Sequence, residues 1–309
     1  MSKDFVIEND VLIKYNGTSA SVVVPEGVKK IGEKAFLENS TLETITLPSS
    51  VEEIGDLAFF RCINLQNIAL SGNLKTIGNY AFSTCRKMHK IILPNSLVDL
   101  GEGTFSECSN LEDIKFSNKL TKIPPFCFSQ CRQLSSFKLL PSSIKEIGDG
   151  AFKGCSFKVI KVPSNIQRIG QSAFLGNHIL YELSFEKNSK LEKIEAWAFK
   201  NCILLNKVSL PPSLKSIENS AFRNCYLDEI KIPFMVTNIG DDAFDENPFN
   251  ETIYMTKSTM DANPRFVDKH QIHQIHIKSY EPSIDELIDA NIPLSKVNNM
   301  LIANADNER

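Results

Sequence analysis

An Ala-Phe pair recurs along the chain at nearly constant spacing, inside variants of the stretch that runs from Ile144 to Cys155. The phenylalanines of this frame follow one another after 22 to 25 residues, at Phe36, Phe59, Phe82, Phe105, Phe128, Phe152, Phe174, Phe199, Phe222 and Phe244. A period of this length is typical of solenoids, in which each repeat forms one coil stacked on the next. We therefore expect one elongated domain of stacked coils, for which 309 residues suffice.

Other apolar residues lie at fixed distances from this Phe. Isoleucine or leucine lies five residues before it in every repeat, and two more apolar residues follow it two positions apart, as Ile45 and Leu47 do after Phe36. Apolar residues two apart in a short segment indicate a β-strand rather than a helix. The sequence thus predicts one short strand per repeat, and stacking of the coils aligns these strands into a parallel sheet.

The repeat unit reads Leu42-x-x-Ile45-x-Leu47-Pro48, then Val51, Ile54-Gly55 and Ala58-Phe59-x-x-Cys62. This pattern resembles the BspA-type (treponemal-type) leucine-rich repeat family over about residues 22–278. The resemblance implies an α/β repeat solenoid, a right-handed superhelix with a parallel β-sheet and about ten to eleven coils. It also implies a role in adhesion or protein recognition, an inference by analogy because a fold does not establish a function.

Both ends of the chain depart from the repeat. Residues 1–21 contain two short apolar segments separated by Asn9-Asp10, which predict a β cap on the first coil. Residues 22–278 form the predicted solenoid, and residues 279–309 form a helical cap or tail. Ser283-x-x-Glu286 is a capping-box pattern that predicts a helix start, and a second short helix is expected around Leu294, Val297, Met300 and Leu301.

The last repeat is degenerate. Phe266 follows Phe244 by 22 residues, and Ile275 and Ile277 come at the strand distances, so an eleventh coil at the edge is expected. His270, His273 and His276 recur at every third residue, a spacing that on a strand sends successive rings to different faces. A solvated, mildly pH-sensitive edge is therefore favoured over a metal site, which would need converging ligands.

Seven of the eight cysteines lie three residues after the repeat Phe: Cys62, Cys85, Cys108, Cys131, Cys155, Cys202 and Cys225. Asn39, Asn177 and Asn247 take the same position in three other repeats, and Cys127 replaces the repeat Ala. A column of small, weakly polar residues predicts a buried ladder of free thiols rather than disulfides. No cofactor or metal site is expected, since there is no Cys-x-x-Cys pair.

Charge and hydropathy narrow the partner classes. The formal net charge of -3 is unlike the basic charge of a nucleic-acid binder. No apolar run is long enough to span a membrane, and no secretory leader is recognisable behind Met1. The free thiols and the missing leader favour a cytoplasmic protein, whereas the family resemblance favours the cell surface or secretion. A monomer is expected.

Catalytic motifs are missing from the sequence: there is no Gly-x-Ser-x-Gly, no Walker glycine loop and no His-Glu-x-x-His. The favoured interpretation is a non-enzymatic module that binds a macromolecular partner through the solenoid surface. The alternative is the targeting part of a larger enzyme or toxin whose catalytic domain lies outside this chain.

One outward residue lies between the two inward residues of each predicted strand. This outward column runs Thr46, Ala69, Ile92, Lys115, Lys138, Lys161, Ser184, Ser209, Lys231, Tyr254 and His276. Three consecutive coils present lysine, and the favoured interpretation is a solvated mixed-charge face neutralised by Glu112, Asp113, Glu182 and Glu229. The alternative is an anionic partner, an acidic protein segment or a sulfated glycan. This partner would be held by Lys115, Lys138 and Lys161, with Ile92 and Tyr181 as apolar contacts.

Overall fold

The structure is a computed structural model that describes residues 3–136, 140–249, 252–272, 276–290 and 292–293. The chain opens with an antiparallel hairpin of β1 (Phe5–Glu8) and β2 (Val11–Tyr15). Asn9 and Asp10 form its turn with positive φ angles of 48° and 64°. Two short polar residues are well suited to this conformation, and the prediction of a β element before the first coil is confirmed.

Two ladders of short strands follow, one on each of two sides of the solenoid. The first ladder is the predicted one, and it comprises β3 (Ser21–Val23), β5 (Thr44–Thr46), β7 (Asn67–Ala69), β9 (Lys90–Ile92), β11 (Asp113–Lys115), β14 (Val159–Val162), β16 (Glu182–Phe185), β18 (Lys207–Val208), β20 (Ile230–Lys231), β22 (Thr252–Met255) and β23 (His276–Ser279). The second ladder comprises β4 (Lys30–Ile31), β6 (Glu53–Ile54), β8 (Thr76–Ile77), β10 (Asp99–Leu100), β12 (Lys122–Ile123), β13 (Glu146–Ile147), β15 (Arg168–Ile169), β17 (Lys193–Ile194), β19 (Ser216–Ile217) and β21 (Asn238–Ile239). Neighbouring strands in both ladders are parallel, as in β5 with β7 and β4 with β6.

The second ladder shows that the prediction of one strand per repeat was wrong. Its strands contain the apolar residue five positions before the repeat Phe, and the hairpin joins it through the parallel pair of β2 and β4. Glycine follows that residue in seven repeats because the coils approach closely there. At Gly101, for example, an added Cβ would lie 2.4 Å from the backbone nitrogen of Asn79 on the preceding coil.

The repeat phenylalanines form a continuous stack through the core. From Phe36 to Phe244 the rings of neighbouring coils lie nearly parallel, with centroids 4.9 to 5.6 Å apart. Tyr15 continues the stack at the N-terminal end at 5.1 Å from Phe36, and Phe266 closes it edge-on at 5.9 Å from Phe244. Each ring therefore contacts the coils before and after it, which couples every coil only to its neighbours.

Two residues in nearly every coil adopt left-handed backbone, one two positions before the Phe and one two positions after it. Most are not glycine: Leu57, Tyr80, Phe126 and Trp197 occupy the first position, with φ between 52° and 59°. Such residues cost on the order of 1–2 kcal/mol each. Hydrogen bonds to the next coil hold them there, such as Leu57 N–H donating to Asn79 O and Arg61 N–H donating to Ser83 O.

The cysteine column is a buried ladder, as predicted. All eight cysteines are buried and unpaired. In the ladder, each thiol contacts the carbonyl of the Phe on the preceding coil, for example Cys131 Sγ to Phe105 O at 3.1 Å. Asn177 makes the same contact, since its amide nitrogen donates to Phe152 O at 2.9 Å. Cys and Asn therefore exchange at this position because both donate to one fixed carbonyl.

Burial alone should protect these thiols from chemical modification. It raises the pKa of the Cys62, Cys108 and Cys202 thiols to about 12, from an ordinary 9.0. In the native chain we expect all eight to react slowly with a thiol probe and then together in denaturant, because the thiolate is the reactive form. Since unfolding lowers these pKa values, stability should fall as the pH rises from 9.0 towards 12. A large loss of melting temperature on adding reductant would contradict the unpaired ladder.

The C-terminal part of the solenoid differs from the prediction. Helices α1 (Lys257–Ala262) and α2 (Pro264–Ile272) replace the ordinary coil, and α2 carries both Phe266 and His270. His270 is buried, with Nδ1 2.8 Å from Phe266 O, so the predicted solvated edge is wrong for this residue. His273 lies outside the described residues. His276 starts β23, where it pairs with Thr252, so Lys278 rather than His276 follows Tyr254 in the outward column.

The predicted capping-box helix is confirmed as α3 (Ile284–Asp289). The Ser283 hydroxyl accepts the Glu286 N–H, and the Glu286 carboxylate accepts the Ser283 N–H at 2.8 Å. The second predicted helix, around Leu294 to Leu301, lies outside the described residues.

Candidate partner-binding face

The outward side chains of the first ladder form one surface, which we call the strand face. Alternation puts the apolar column residues, such as Ile45, Ile91, Ile114 and Ile160, into the core. The residues on either side of them point outward. Strand register aligns Thr46 with Ala69, Ile92 with Lys115, Lys161 with Ser184, and Lys231 with Tyr254. Variable residues are thus presented at regular heights on a rigid support.

Two lysines of the predicted row stand free on this face. Lys115 and Lys161 are exposed, and neither makes an ion pair or a side-chain hydrogen bond with another described residue. Lys138 lies outside the described residues. Asp113, one of the carboxylates considered as a neutralising partner, instead pairs with Lys90 on the adjacent coil at 3.2 Å. The two lysine charges therefore remain uncompensated among the residues that the structure describes.

The two predicted apolar contacts differ in position. Ile92 is 52% exposed and lies directly beside Lys115 in the register of β9 and β11. Tyr181 is also exposed, but it precedes β16 and lies three residues before Ser184, the residue that pairs with Lys161. Three residues of strand span about 10 Å, so Tyr181 and Lys161 lie at opposite ends of neighbouring strands.

The aromatic residues before the repeat Ala pack locally on their neighbouring coil. The Tyr80 ring lies over Gly103, and its hydroxyl donates to Glu102 at 2.5 Å. This bond and partial burial raise the pKa of Tyr80 to about 12. The Phe126 ring lies over Gly150 in the same way. These contacts support a packing role for this column.

We searched the described residues for metal-binding groups and for membrane-spanning helices. No group of three or more His, Cys, Asp or Glu residues that could hold a metal ion occurs in the described ranges. Within the same ranges, no helix is long and apolar enough to cross a membrane.

The repeat geometry agrees with a family model described as "BspA type Leucine rich repeat region (6 copies)", which matches residues 12–135, 56–181 and 180–288. The chain belongs to the BspA-type leucine-rich repeat family. The family resemblance inferred from the repeat pattern is thereby confirmed, together with the leucine-rich repeat solenoid that it implied.

Solved structures of other leucine-rich repeat proteins share the fold. A leucine-rich cell surface protein from Faecalibacterium prausnitzii is 22% identical, covering 94% of this chain and 96% of that one, with a TM-score of 0.58. The pneumococcal vaccine antigen PcpA is 21% identical, covering 84% of this chain and 81% of that one, with a TM-score of 0.56. At such identities the likeness concerns the fold alone. No curated protein matches the chain.

One feature of this BspA-type repeat chain was missed at the sequence level. The segment after β23 returns across the strand face, where Glu286 of α3 lies 2.7 Å from Lys231. The capping-box pattern predicted the helix, but a contact between residues 55 positions apart leaves no periodic trace in the sequence. Beside this contact lies an open groove of about 740 Å³ lined in part by Glu182, Lys207 and Tyr254.

Proposed function

We propose that the chain is a non-enzymatic recognition module that binds an acidic segment of a protein partner on its strand face. The observation that carries the proposal is the pair of exposed lysines, Lys115 and Lys161, whose charges have no partner among the described residues. Ile92 beside Lys115 adds exposed apolar surface to the same region. Binding sites combine apolar contact with a few well-placed polar groups.

The uncompensated charges favour an anionic partner for two reasons. Ion pairs already made within the chain, such as Lys90 with Asp113, gain nothing when a partner arrives. A free ammonium group can attract an incoming carboxylate and raises the association rate. Each exposed contact contributes up to about 1 kcal/mol, so Lys115 and Lys161 together contribute up to about 2 kcal/mol to binding an acidic segment that reaches both.

Reversing the charge of Lys115 and Lys161 tests this proposal. We expect the double variant Lys115→Glu, Lys161→Glu to lose retention on immobilised polyglutamate at low ionic strength, with binding at least about tenfold weaker. The fold should be intact because both side chains are exposed. Retention of the wild type should also fall steeply between low and physiological salt, because exposed charges are screened. Elution volume at a series of salt concentrations is the measurement.

The matched control is Lys122→Glu, Lys145→Glu, which changes the net charge equally. Both of these lysines are exposed, and both lie in or just before strands of the second ladder rather than on the strand face. This variant should keep most of the retention. Equal losses in the two double variants would show that net charge, not the strand face, controls binding. Strong retention on heparin with none on polyglutamate would favour a sulfated glycan as the partner.

The cellular location stays a proposal as well. The free thiols favour a cytoplasmic location. The similar fold of the cell surface protein from Faecalibacterium prausnitzii supports the alternative, a location at the cell surface. Eight buried thiols are protected from oxidants in either compartment, so the ladder is compatible with both. Mass spectrometry of peptides released by brief surface proteolysis of intact cells would distinguish them.

A further inference from the structure

The C-terminal segment, residues 280–290, lies over the strand face rather than beyond the last coil. Tyr280 N–H donates to Met255 O of β22, and the Tyr280 hydroxyl donates to Ile232 O at 3.0 Å. Ile232 directly follows β20, two strands back from β23. The segment therefore turns back and covers part of the surface on which the outward column is presented.

Two side chains of this segment contact Lys231, a lysine of the outward column. Lys231 Nζ lies 2.7 Å from the Glu286 carboxylate and 4.1 Å from the centroid of the Tyr280 ring. Lys231 stands in the outward column that also contains Lys115 and Lys161. Burial disfavours ionisation of Glu286, but hydrogen bonds from Lys231 and Ser283 outweigh it and lower the pKa of its carboxyl. The lysine is thus held by a carboxylate and an aromatic face together.

The segment is held by few contacts. Helix α3 has only six residues, and a helix this short is marginal without tertiary support. Leu287 is buried, but Ile284 and Ile288 are 50% and 46% exposed. A helix whose main role was to cover the end of the core would bury these isoleucines. Tyr280 anchors the start of the segment by two hydrogen bonds and its ring contact with Lys231. Beyond it, helix α3 is held by the buried Leu287 and the ion pair of Glu286 with Lys231, so the helix can open at low free-energy cost.

Open space adjoins the segment on the strand face. The groove beside it is lined by both Tyr254 and Tyr280 and by the charged residues Glu182, Lys207 and Glu229. Lys207 makes no ion pair with another described residue. A longer helix than α3 could therefore extend into the groove and still present a carboxylate to Lys231.

We propose that residues 280–290 are an intramolecular ligand that competes with the partner for Lys231, and that the partner contacts this site with an acidic helix preceded by an aromatic residue. This inference rests on the proposed function and specifies both the kind of partner and its regulation. The chain's own Tyr280 and Glu286 supply the template, since they show which groups the strand face accepts. Release of the segment raises affinity because the competent state becomes more populated.

The probe is a fluorescein-labelled peptide with the sequence of residues 280–290, titrated with the full chain by fluorescence anisotropy. The test variant is Glu286→Gln, which removes the charge that holds Lys231 but leaves a residue able to complete the capping box. We expect it to bind the peptide about three- to fivefold more tightly than the wild type. Adding Lys231→Glu to this variant should abolish the gain.

Asp285→Asn is the matched control, because it removes one exposed charge from the same helix turn at a position with no contact to Lys231. It should bind the peptide as the wild type does. Hydrogen exchange of amides 284–290 should be faster in Glu286→Gln and unchanged in Asp285→Asn. Faster exchange without tighter peptide binding would overturn the inference, since the segment would then be a detachable cap and not a competitor.

Three further outcomes decide between this inference and the proposed function. Tighter binding that survives Lys231→Glu would overturn the inference, because the peptide would then bind elsewhere. If charge reversal of Lys115 and Lys161 leaves retention on polyglutamate unchanged but the peptide titration gives the expected result, the binding site at Lys231 is supported and the site at Lys115 and Lys161 is contradicted. If only the peptide titration fails, the site at Lys115 and Lys161 is supported and the competition for Lys231 is contradicted.

Discussion

Replacement of Cys131 by arginine is expected to unfold at least the coils on either side of it. Cys131 is fully buried, and its thiol contacts Phe105 O at 3.1 Å. A guanidinium group at this position would be an unpaired charge in a core of Phe rings and thiols. Leaving a charge buried and unpaired costs about 3–5 kcal/mol or more, which is a large part of the stability of a domain.

Thermal unfolding followed by circular dichroism measures this loss, and limited proteolysis locates the opened coils. Cys131→Asn is the matched control, because Asn occupies the ladder position at Asn177 and Asn247 and donates there to the same kind of carbonyl. The Asn variant should be destabilised far less than the Arg variant. An Arg variant that melts within a few degrees of the wild type would contradict the buried ladder.

Replacement of Phe128 by alanine is expected to cost about 3–5 kcal/mol, the range for a large buried aromatic side chain. Its ring stacks on Phe105 at 5.6 Å and on Phe152 at 5.5 Å, and it meets Phe116 edge-on. The cavity would interrupt the stack in the middle of the chain. Because each coil contacts only its neighbours, urea unfolding should become less cooperative as the two halves separate.

Phe126→Ala is the control, two residues earlier in the same coil. Its ring is 39% exposed and covers Gly150, so its loss should cost about 1 kcal/mol or less. The comparison keeps the chemical change constant and varies only burial. Equal destabilisation by the two variants would show that the aromatic stack is not the main source of stability.

The periodic part of the sequence predicted the core well. The same residue type recurs at the same repeat position in many coils. Phe128 and Cys131 can therefore be assigned to the interior from the equivalent residues of the other coils rather than from local propensity. The second ladder was not predicted because its strands are only two residues long, too short for alternation to appear. The left-handed residues were missed because most are not glycine, as at Leu57 and Trp197. Contacts with the adjacent coil impose their conformation.

The candidate site was predicted in part. The alternation of residues within each strand was enough to predict that Lys115, Lys161 and Ile92 are exposed on one face, as they are in the structure. It was not enough to place Tyr181, which lies outside its strand, or to find the contact of Glu286 with Lys231. Helix α3 is a local feature of the sequence, whereas its docking depends on where the chain returns after β23. Such non-periodic contacts require three-dimensional coordinates.

The stacked Phe column makes the coils between Phe36 and Phe244 interchangeable as building blocks. If a unit of about 23 residues were duplicated or deleted, the Phe rings would still stack and the thiols would still contact the Phe carbonyl of the preceding coil at the new junction. The chain can therefore lengthen or shorten by recombination while its core contacts are preserved. Each such event moves the free lysines relative to the Lys231 end of the strand face by about 4.8 Å, the separation of adjacent strands. The reach of the binding surface can thus evolve in discrete steps, independently of the residues that it presents.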